Sequence, residues 1–330
     1  MTSIERWSGR AATWFFAAFF GSVIAASAAA AAETDFKSWL DGVRKDAIAQ
    51  GLRPESVDRA LQDAHEIPRV IELDRRQPET TITFAQYVER IVTPQRIAAG
   101  RQKMAENRAL LTAVSRRFGV QPRFIMALWA IESNYGSATG DYPVISALAT
   151  LAYDGRRATF FRKELLAAIE IVDRGYMEPD RMLGSWAGAM GQCQFMPSSY
   201  LKLAVSYSGD GRRDIWQRRE DVFASIANYL ASFGWRADET WGRRVLLPKK
   251  FDTALAGLAT RKTLAEWQHL GLRRPDGGHL PARDLTASVV LPGGPDGPAV
   301  LVYDNYRAVM RWNNSTYFAT AVGYLADAFE

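Results

Sequence analysis

Cysteine and histidine are scarce in this chain of 330 residues, which has one cysteine, Cys193, and three histidines, His65, His269 and His279. A single cysteine rules out a disulfide framework, and no cysteine follows the N-terminal leader closely enough to carry a lipid anchor. The histidines lie outside every motif described below, so a cysteine–histidine nucleophile is not expected. Dense basic runs are missing too. The formal charge of +5 comes with scattered pairs such as Arg212-Arg213, Arg218-Arg219 and Arg243-Arg244, and no nucleic-acid motif accompanies them. Nucleic acid is therefore not expected as a partner. Solvated faces account for the pairs, and the sign of the charge suits an anionic polymer outside the cell. Beyond the alanines of the N-terminus there is no repeat or low-complexity tract.

What is present begins with that N-terminus. Arg6 and Arg10 precede an apolar run from Ala11 to Phe20 that fades into alanines before Glu33. Residues 1–32 read as a secretory signal peptide cut among Ala28 to Ala32, which predicts a periplasmic protein. The stretch from Ala11 to Ala32 could also span a bilayer, so an uncleaved anchor is the alternative.

The remaining chain, in a sequence that is 48% hydrophobic, can support two or three packed subdomains. Residues 33–109 read as a helical domain, with Trp39, Leu40, Val43 and Ile48 at helical steps and a new start at Pro54. Helical texture continues through 110–237. Between 238 and 303 it gives way to the short β-prone runs Arg243 to Leu247, Ala287 to Leu291 and Val300 to Tyr303, set between Gly- and Pro-rich turns. A helix returns over 304–330, where Phe318, Val322, Leu325 and Phe329 share a face. The expected fold class is mainly α (α+β), with one small β subdomain.

Glu132 stands out within this frame. It follows the apolar run Phe124 to Ile131 and precedes Ser133-Asn134-Tyr135-Gly136. Gly136 reads as a helix stop, so Glu132 falls in the last turn, where the helix dipole disfavours a carboxylate. Three, four and seven residues back lie Trp129, Leu128 and Ile125, an apolar stripe. Such surroundings raise a carboxyl pKa, as in the acid of lysozyme. Taken alone, a glutamate beside an apolar helix is more often a surface or partnered residue. A second stretch, Gly184 to Tyr200, combines glycines that permit close backbone approach with the neutral hydrogen-bonding side chains Ser185 and Gln194. By itself it would pass for a tight turn between helices.

Together the motifs form an ordered set. Ala130-Ile131-Glu132-Ser133-Asn134-Tyr135-Gly136, Gly184 to Ser199, Ala227-Asn228-Tyr229-Leu230 and Arg311-Trp312-Asn313-Asn314-Ser315 resemble the motifs of lytic murein transglycosylases, most closely the membrane-bound lytic transglycosylase B type. Val70 to Glu79 resembles that family's helical domain. The resemblance implies a lysozyme-like catalytic core flanked by a helical domain and a small β subdomain. It also implies cleavage of the MurNAc-GlcNAc β-1,4 bond of peptidoglycan with formation of 1,6-anhydro-MurNAc ends. Carried over by motif, Glu132 is catalytic, Ser185 and Gln194 are active-site hydrogen bonders, Met190 is an apolar wall, and Tyr229 and Asn313 line the saccharide groove. Trp312 stands where the family usually has tyrosine; it can stack on a sugar but lacks the hydroxyl. Where a later tyrosine is expected the chain has Phe318, with Tyr317 one place earlier.

The motifs offer only one carboxylate, whereas ordinary glycosidases need two. That fits a mechanism in which Glu132 first protonates the glycosidic oxygen and then deprotonates the muramyl C6 hydroxyl, which attacks in place of water. A hydrolytic muramidase and an inactive peptidoglycan-binding scaffold are the alternatives. Ser206 to Gln217 resembles the EF-hand-like calcium loop of some relatives, with Ser208, Asp210 and Asp214 as candidate donors. Ser206 stands where an acid is expected and Gln217 cannot chelate as a carboxylate does, so a hydrogen-bonded loop is expected there and no cofactor. Peptidoglycan glycan strands are the expected partner of a monomer, and transient contact with the membrane or cell-wall machinery is compatible with this.

Overall fold

The computed structural model describes residues 35–76 and 82–330. The leader at 1–32 lies outside these residues, as do Gln77, Pro78 and Glu79 of the upstream motif. Among the described residues, no helix is long and apolar enough to cross a membrane.

Proline sets many of the helix starts. After α1 (35–49) come α2 (Pro54–Leu61), α3 (Pro68–Arg75), α4 (Phe84–Ile91), α5 (Pro94–Glu106), α6 (Arg108–Phe118) and α7 (Pro122–Ser133). Four of these open on proline, whose fixed φ and missing N–H cost nothing in a first turn. In α1 the buried face is Phe36, Leu40, Val43 and Ala47, so Trp39 and Ile48 lie at its margin, not at its centre. After α7 the chain forms β1 (Tyr142–Pro143), α8 (Val144–Asp154), α9 (Ala158–Asp173), β2 (Leu183–Gly184), α10 (Pro197–Leu203) and α11 (Arg219–Ser232). The single ladder β1–β2 pairs Tyr142 with Gly184 and ties the start of α8 to the glycine-rich segment.

Helix α7 is the central rod. Every residue from Phe124 to Ala130 is buried, so the helix is apolar all round, as a helix enclosed on every side must be. Helices α5, α6 and α11 pack against it, together with the C-terminal α14 (Thr316–Ala328). Helices α2 and α3 lie on α9 and α8. The carboxylate of Asp74, 1% exposed, fastens α3 to the α8–α9 turn through Arg156 at 2.5 Å and Arg157 at 2.7 Å.

The β subdomain is a four-stranded antiparallel sheet of β3 (Gly242–Val245), β4 (Lys262–Thr263), β5 (Thr286–Val290) and β6 (Ala299–Val302), in the order β3-β6-β5-β4, with α12 (Leu264–His269) between β4 and β5. The two-residue β4 and the one-and-a-half-turn α12 are too short for apolar periodicity to reveal. Strand β6 is buried throughout, which is why it reads as a continuous apolar run. Successive side chains of a strand face opposite ways. Val300 and Val302 accordingly join the main core, while Ala299 and Leu301 join a second core around Leu264, Trp267 and Leu272. The chain leaves the sheet into α13 (Asp304–Trp312), which delivers Trp312 and Asn313 to the end of α7, and then into α14.

Candidate functional site

Helix α7 ends at Ser133. The N–H of Asn134 donates to the Ala130 carbonyl at 3.1 Å, and Asn134 and Tyr135 both adopt left-handed backbone, with φ of 47° and 60°. The stop therefore precedes Gly136, which extends the left-handed run at φ 84°. Two successive non-glycine residues in that region are uncommon and need outside support. Tyr135 receives it from its hydroxyl, which donates to the Arg96 carbonyl at 2.6 Å. Ser133 Oγ donates to the Gln192 carbonyl at 2.8 Å. A Cβ at Gly136 would meet Gln192 Oε1 at 2.4 Å, so only glycine fits beneath that amide.

Gln192 was passed over in the sequence, yet it is the main bracket of the site. Its Oε1 accepts from Trp129 Nε1 at 2.8 Å, its Nε2 donates to the Trp216 carbonyl at 2.6 Å, and its backbone N–H donates to the Ile215 carbonyl. The glycine-rich segment is thereby held against the last turn of α7. The segment folds as a miniature ladder, with Met190 bridged to Gly184 and to Phe195. Gly191, at φ 61°, lies so close to the Ile215 carbonyl that a Cβ would approach it to 2.7 Å.

Glu132 projects from this end of α7 and is partly buried. Burial pushes its carboxyl up to about 8, opposed by a hydrogen bond from Trp312. That bond, Trp312 Nε1 to Glu132 Oε1, is 2.7 Å long. Among the described residues no neighbouring charge takes part in the shift, so loss of water is what raises the acid. Tyr87 on α4 faces the same carboxyl. Burial first, and then the Glu132 charge, push its phenol up. Tyr87 is a second residue the sequence reading missed: it comes from another subdomain, and nothing in its local pattern marks it.

The expected residues fall into three groups. Asn313 is exposed and lines a cavity of about 690 Å³ with Tyr87, Met310, Thr316 and Tyr317. Phe318 also borders it but is itself buried, whereas Tyr317 keeps exposed surface, its ring tilted at 60° to that of Tyr87 with 5.7 Å between centroids. Ser185 and Gln194 are partly buried. Ser185 Oγ accepts from the Ala189 N–H at 3.0 Å, and Gln194 Nε2 donates to the carbonyls of Thr139 and Gly191. Each keeps polar capacity beyond these bonds, the Ser185 hydroxyl hydrogen and the Gln194 Oε1. Met190 and Tyr229 must be reassigned. Met190 is 0% exposed and has no surface to offer a sugar; it backs the segment from behind. Tyr229 is buried, its hydroxyl donates to the Arg311 carbonyl at 2.5 Å, and its ring lies 4.6 Å from that of Trp312. It braces the wall of the groove without forming its surface.

Cys193 is fully buried, and its thiol, donating to the Val222 carbonyl at 3.5 Å, is pushed well above its usual range by burial and by Glu132. It stays a thiol. In the 206–217 loop, Asp210 Oδ1 accepts from Ser206 Oγ and from the Arg212 N–H, while Oδ2 accepts from Arg218 at 2.7 Å. Arg218 also donates to Ser208 Oγ at 3.1 Å. Asp214 Oδ1 accepts from the N–H groups of Trp216 and Gln217. A guanidinium thus meets two of the three candidate donors, Asp210 and Ser208, and among the described residues there is no group of three or more acidic, His or Cys side chains placed to hold a metal ion.

Residues 35–327 match the family described as Transglycosylase SLT domain. The chain is 30% identical over 300 residues to the membrane-bound lytic murein transglycosylase B of Escherichia coli, covering 84% of this chain and 78% of that protein. Among solved structures it is similar to Pseudomonas aeruginosa SltB3 in complex with NAG-NAM-pentapeptide, at 45% identity and a TM-score of 0.86, over 89% of this chain and 79% of that one. SltB3 in complex with NAG-anhNAM-pentapeptide matches equally well. It is also similar to the Escherichia coli lytic transglycosylase Slt35 in complex with calcium, at 26% identity and a TM-score of 0.74, over 90% and 93% of the two chains. The mainly α body with its small β subdomain is thus the lysozyme-like architecture of these enzymes, and the chain belongs to the lytic murein transglycosylase family.

Proposed function

We propose that this lytic transglycosylase cleaves the MurNAc-GlcNAc β-1,4 bond of peptidoglycan and closes a 1,6-anhydro-MurNAc end, with Glu132 as acid and then as base. The observation that carries this reading is the setting of Glu132: a carboxyl at the end of α7 that accepts only from the Trp312 indole and is raised to about 8 by burial, with no charged neighbour among the described residues contributing to the shift. A protonated carboxyl at neutral pH can protonate the leaving oxygen. Among the described residues no second carboxylate contributes to the Glu132 shift, and with none to activate water or attack the sugar the nucleophile comes from the substrate. The complexes of SltB3 with NAG-NAM-pentapeptide and NAG-anhNAM-pentapeptide support the same pair of substrate and product.

In this reading the sugar lies along the cavity bordered by Asn313, Tyr87 and Tyr317. Ser185 and Gln194 hold the acetamido group with their remaining hydrogen-bonding capacity, and polar groups around the cavity stabilise the oxocarbenium-like centre. The enzyme works as a monomer in the periplasm without calcium. Mass spectrometry of digests of purified sacculi tests the reaction. Anhydro-muramyl ends are expected, and reducing muramyl ends alone, heavier by one water, would overturn it in favour of a hydrolytic muramidase. Retained sugar binding without any product would leave the scaffold reading.

A further inference from the structure

Trp312 is the last residue of α13, and its ring is clamped. Phe195 lies at 5.2 Å and Tyr229 at 4.6 Å between ring centroids, with Phe233 behind Tyr229 at 4.9 Å. The Tyr229 hydroxyl is anchored on the carbonyl of Arg311, the residue before Trp312. The indole therefore cannot swing out to meet a sugar without breaking this packing, and its one polar atom points at Glu132 Oε1 from 2.7 Å.

An indole N–H donates and cannot accept, whereas a tyrosine hydroxyl at the same place could do either. A protonated carboxyl has one O–H and one carbonyl oxygen. If the acid proton sat on Oε1, the indole N–H would have to bond to a hydroxyl oxygen, a weaker acceptor than the carbonyl oxygen it meets when the proton is on Oε2. We infer that Trp312 is a positioning residue that assigns the catalytic proton of Glu132 to Oε2 and leaves Oε1 a permanent acceptor. This rests on the reading of Glu132 as the acid.

The step then has a defined route. The Oε2 proton passes to the glycosidic oxygen, and the electron pair of the C1–O bond leaves with that oxygen. The muramyl C6 oxygen bonds to C1 and its proton returns to Oε2. The same oxygen gives and receives, and the carboxylate between these events is stabilised by the indole, since a hydrogen bond to a charged acceptor is stronger than to a neutral one. The titratable groups facing Glu132 do not compete. Tyr87 of α4 and Cys193 of the glycine-rich segment are both raised and neutral. Arg96 of α5 acts on Tyr87 and Tyr135, and Arg311 of α13 acts on Tyr229, neither on Glu132.

The test uses the full chain and a soluble uncrosslinked glycan strand, comparing wild type, Trp312→Phe and Trp312→Tyr for kcat, KM and the pH profile of kcat/KM. Loss of the donor in Trp312→Phe is expected to move the alkaline limb up by about one pH unit, because the ionised carboxylate loses its charge-assisted bond. A fall in kcat of about tenfold should accompany it, with KM within about twofold. Infrared difference spectra against Glu132→Gln should show the protonated C=O band as one population in wild type and as a broadened one in Trp312→Phe. Trp312→Tyr should restore the alkaline limb but keep the broadened band. Should Trp312→Phe fail to fold, benzothienylalanine at 312, which keeps the ring shape and lacks the N–H, must give the same shifts. An unmoved alkaline limb in the folded variant, or a loss confined to KM, would overturn the inference. Full activity in Glu132→Gln would instead overturn the assignment of the acid, and this result separates the two failures.

Discussion

The Trp129 indole donates to Gln192 Oε1 at 2.8 Å, and with the Ser133 hydroxyl on the Gln192 carbonyl this bond joins the buried rod of α7 to the glycine-rich segment beside Glu132. Because Gln192 also reaches the Trp216 carbonyl, its amide is satisfied on both ends. Gln192→Ala leaves a buried indole N–H and a carbonyl without partners, at a cost of about 1–3 kcal/mol each where water cannot enter. Denaturant unfolding should show a loss in that range. Activity should fall further than stability requires, because the groove wall loses its register against Glu132; unchanged activity at full folding would show that the bracket is only structural.

Glu132→Gln is expected to lower kcat/KM by at least the 10²- to 10⁴-fold typical of a general acid, read as release of muropeptides from sacculi. The same variant should be more stable at neutral pH. The folded pKa of Glu132 is raised to about 8 from 4.5, so its contribution is intact below about 4.5 and is lost as pH climbs towards 8, where only the unfolded chain releases the proton freely. Glutamine carries no such penalty. Its thermal midpoint should exceed that of wild type by a few degrees at pH 8, with each kcal/mol moving it by about 2 °C or less in a chain longer than about 250 residues, and the gap should close at pH 4.

Wild-type kcat/KM should fall on the alkaline side with the ionisation of Glu132, near pH 8, since only the protonated form can act as acid. A profile flat to pH 10 would contradict the state of this carboxyl in the free enzyme.

Asp74 predicts the opposite slope. Hydrogen bonds from Arg156, and then Arg157, hold its carboxyl below the usual range against the opposing effect of burial. Its stabilisation is therefore present above about pH 4 and is lost as pH falls through the depressed folded value. Asp74→Asn should destabilise the fold by about 1.5–3 kcal/mol at pH 7, the range for hydrogen bonds to a charged group, because the arginines it leaves are nearly half exposed, and less at pH 3. Equal losses at both values would count against the ion pairs.

Calcium should be dispensable. With Arg218 on Asp210 and Ser208, chelation is expected to leave the thermal midpoint and turnover unmoved, and added calcium should produce no binding heat. Slt35, solved in complex with calcium, is the natural control.

How much of this was legible depends on where the signal lived. Glu132 could be found because a carboxylate in the last turn of an apolar helix contradicts local physics. The strands β3, β5 and β6 and the start of α2 at Pro54 came from local composition. Gln192 was in view within the glycine-rich stretch but carried no local anomaly, since its role depends on Trp129 and Trp216 arriving from distant elements. Tyr229 and Met190 belong to the right neighbourhood, yet which side of a wall a residue occupies is settled by packing, not by motif. Trp312 was read for its ring, and the fold uses its N–H.

Strand β6 lends alternate side chains to two cores. The β subdomain therefore cannot detach without stripping Val300 and Val302 from the body that holds Glu132, and α13, which carries Trp312, leaves directly from the end of that strand. Amide exchange in β6 and in α13 should accordingly proceed as one cooperative event. The acid's hydrogen-bond partner is then anchored to the least dispensable strand of the subdomain, and damage to the second core around Trp267 should reach the active site as a loss of proton control, with no residue of the groove itself altered.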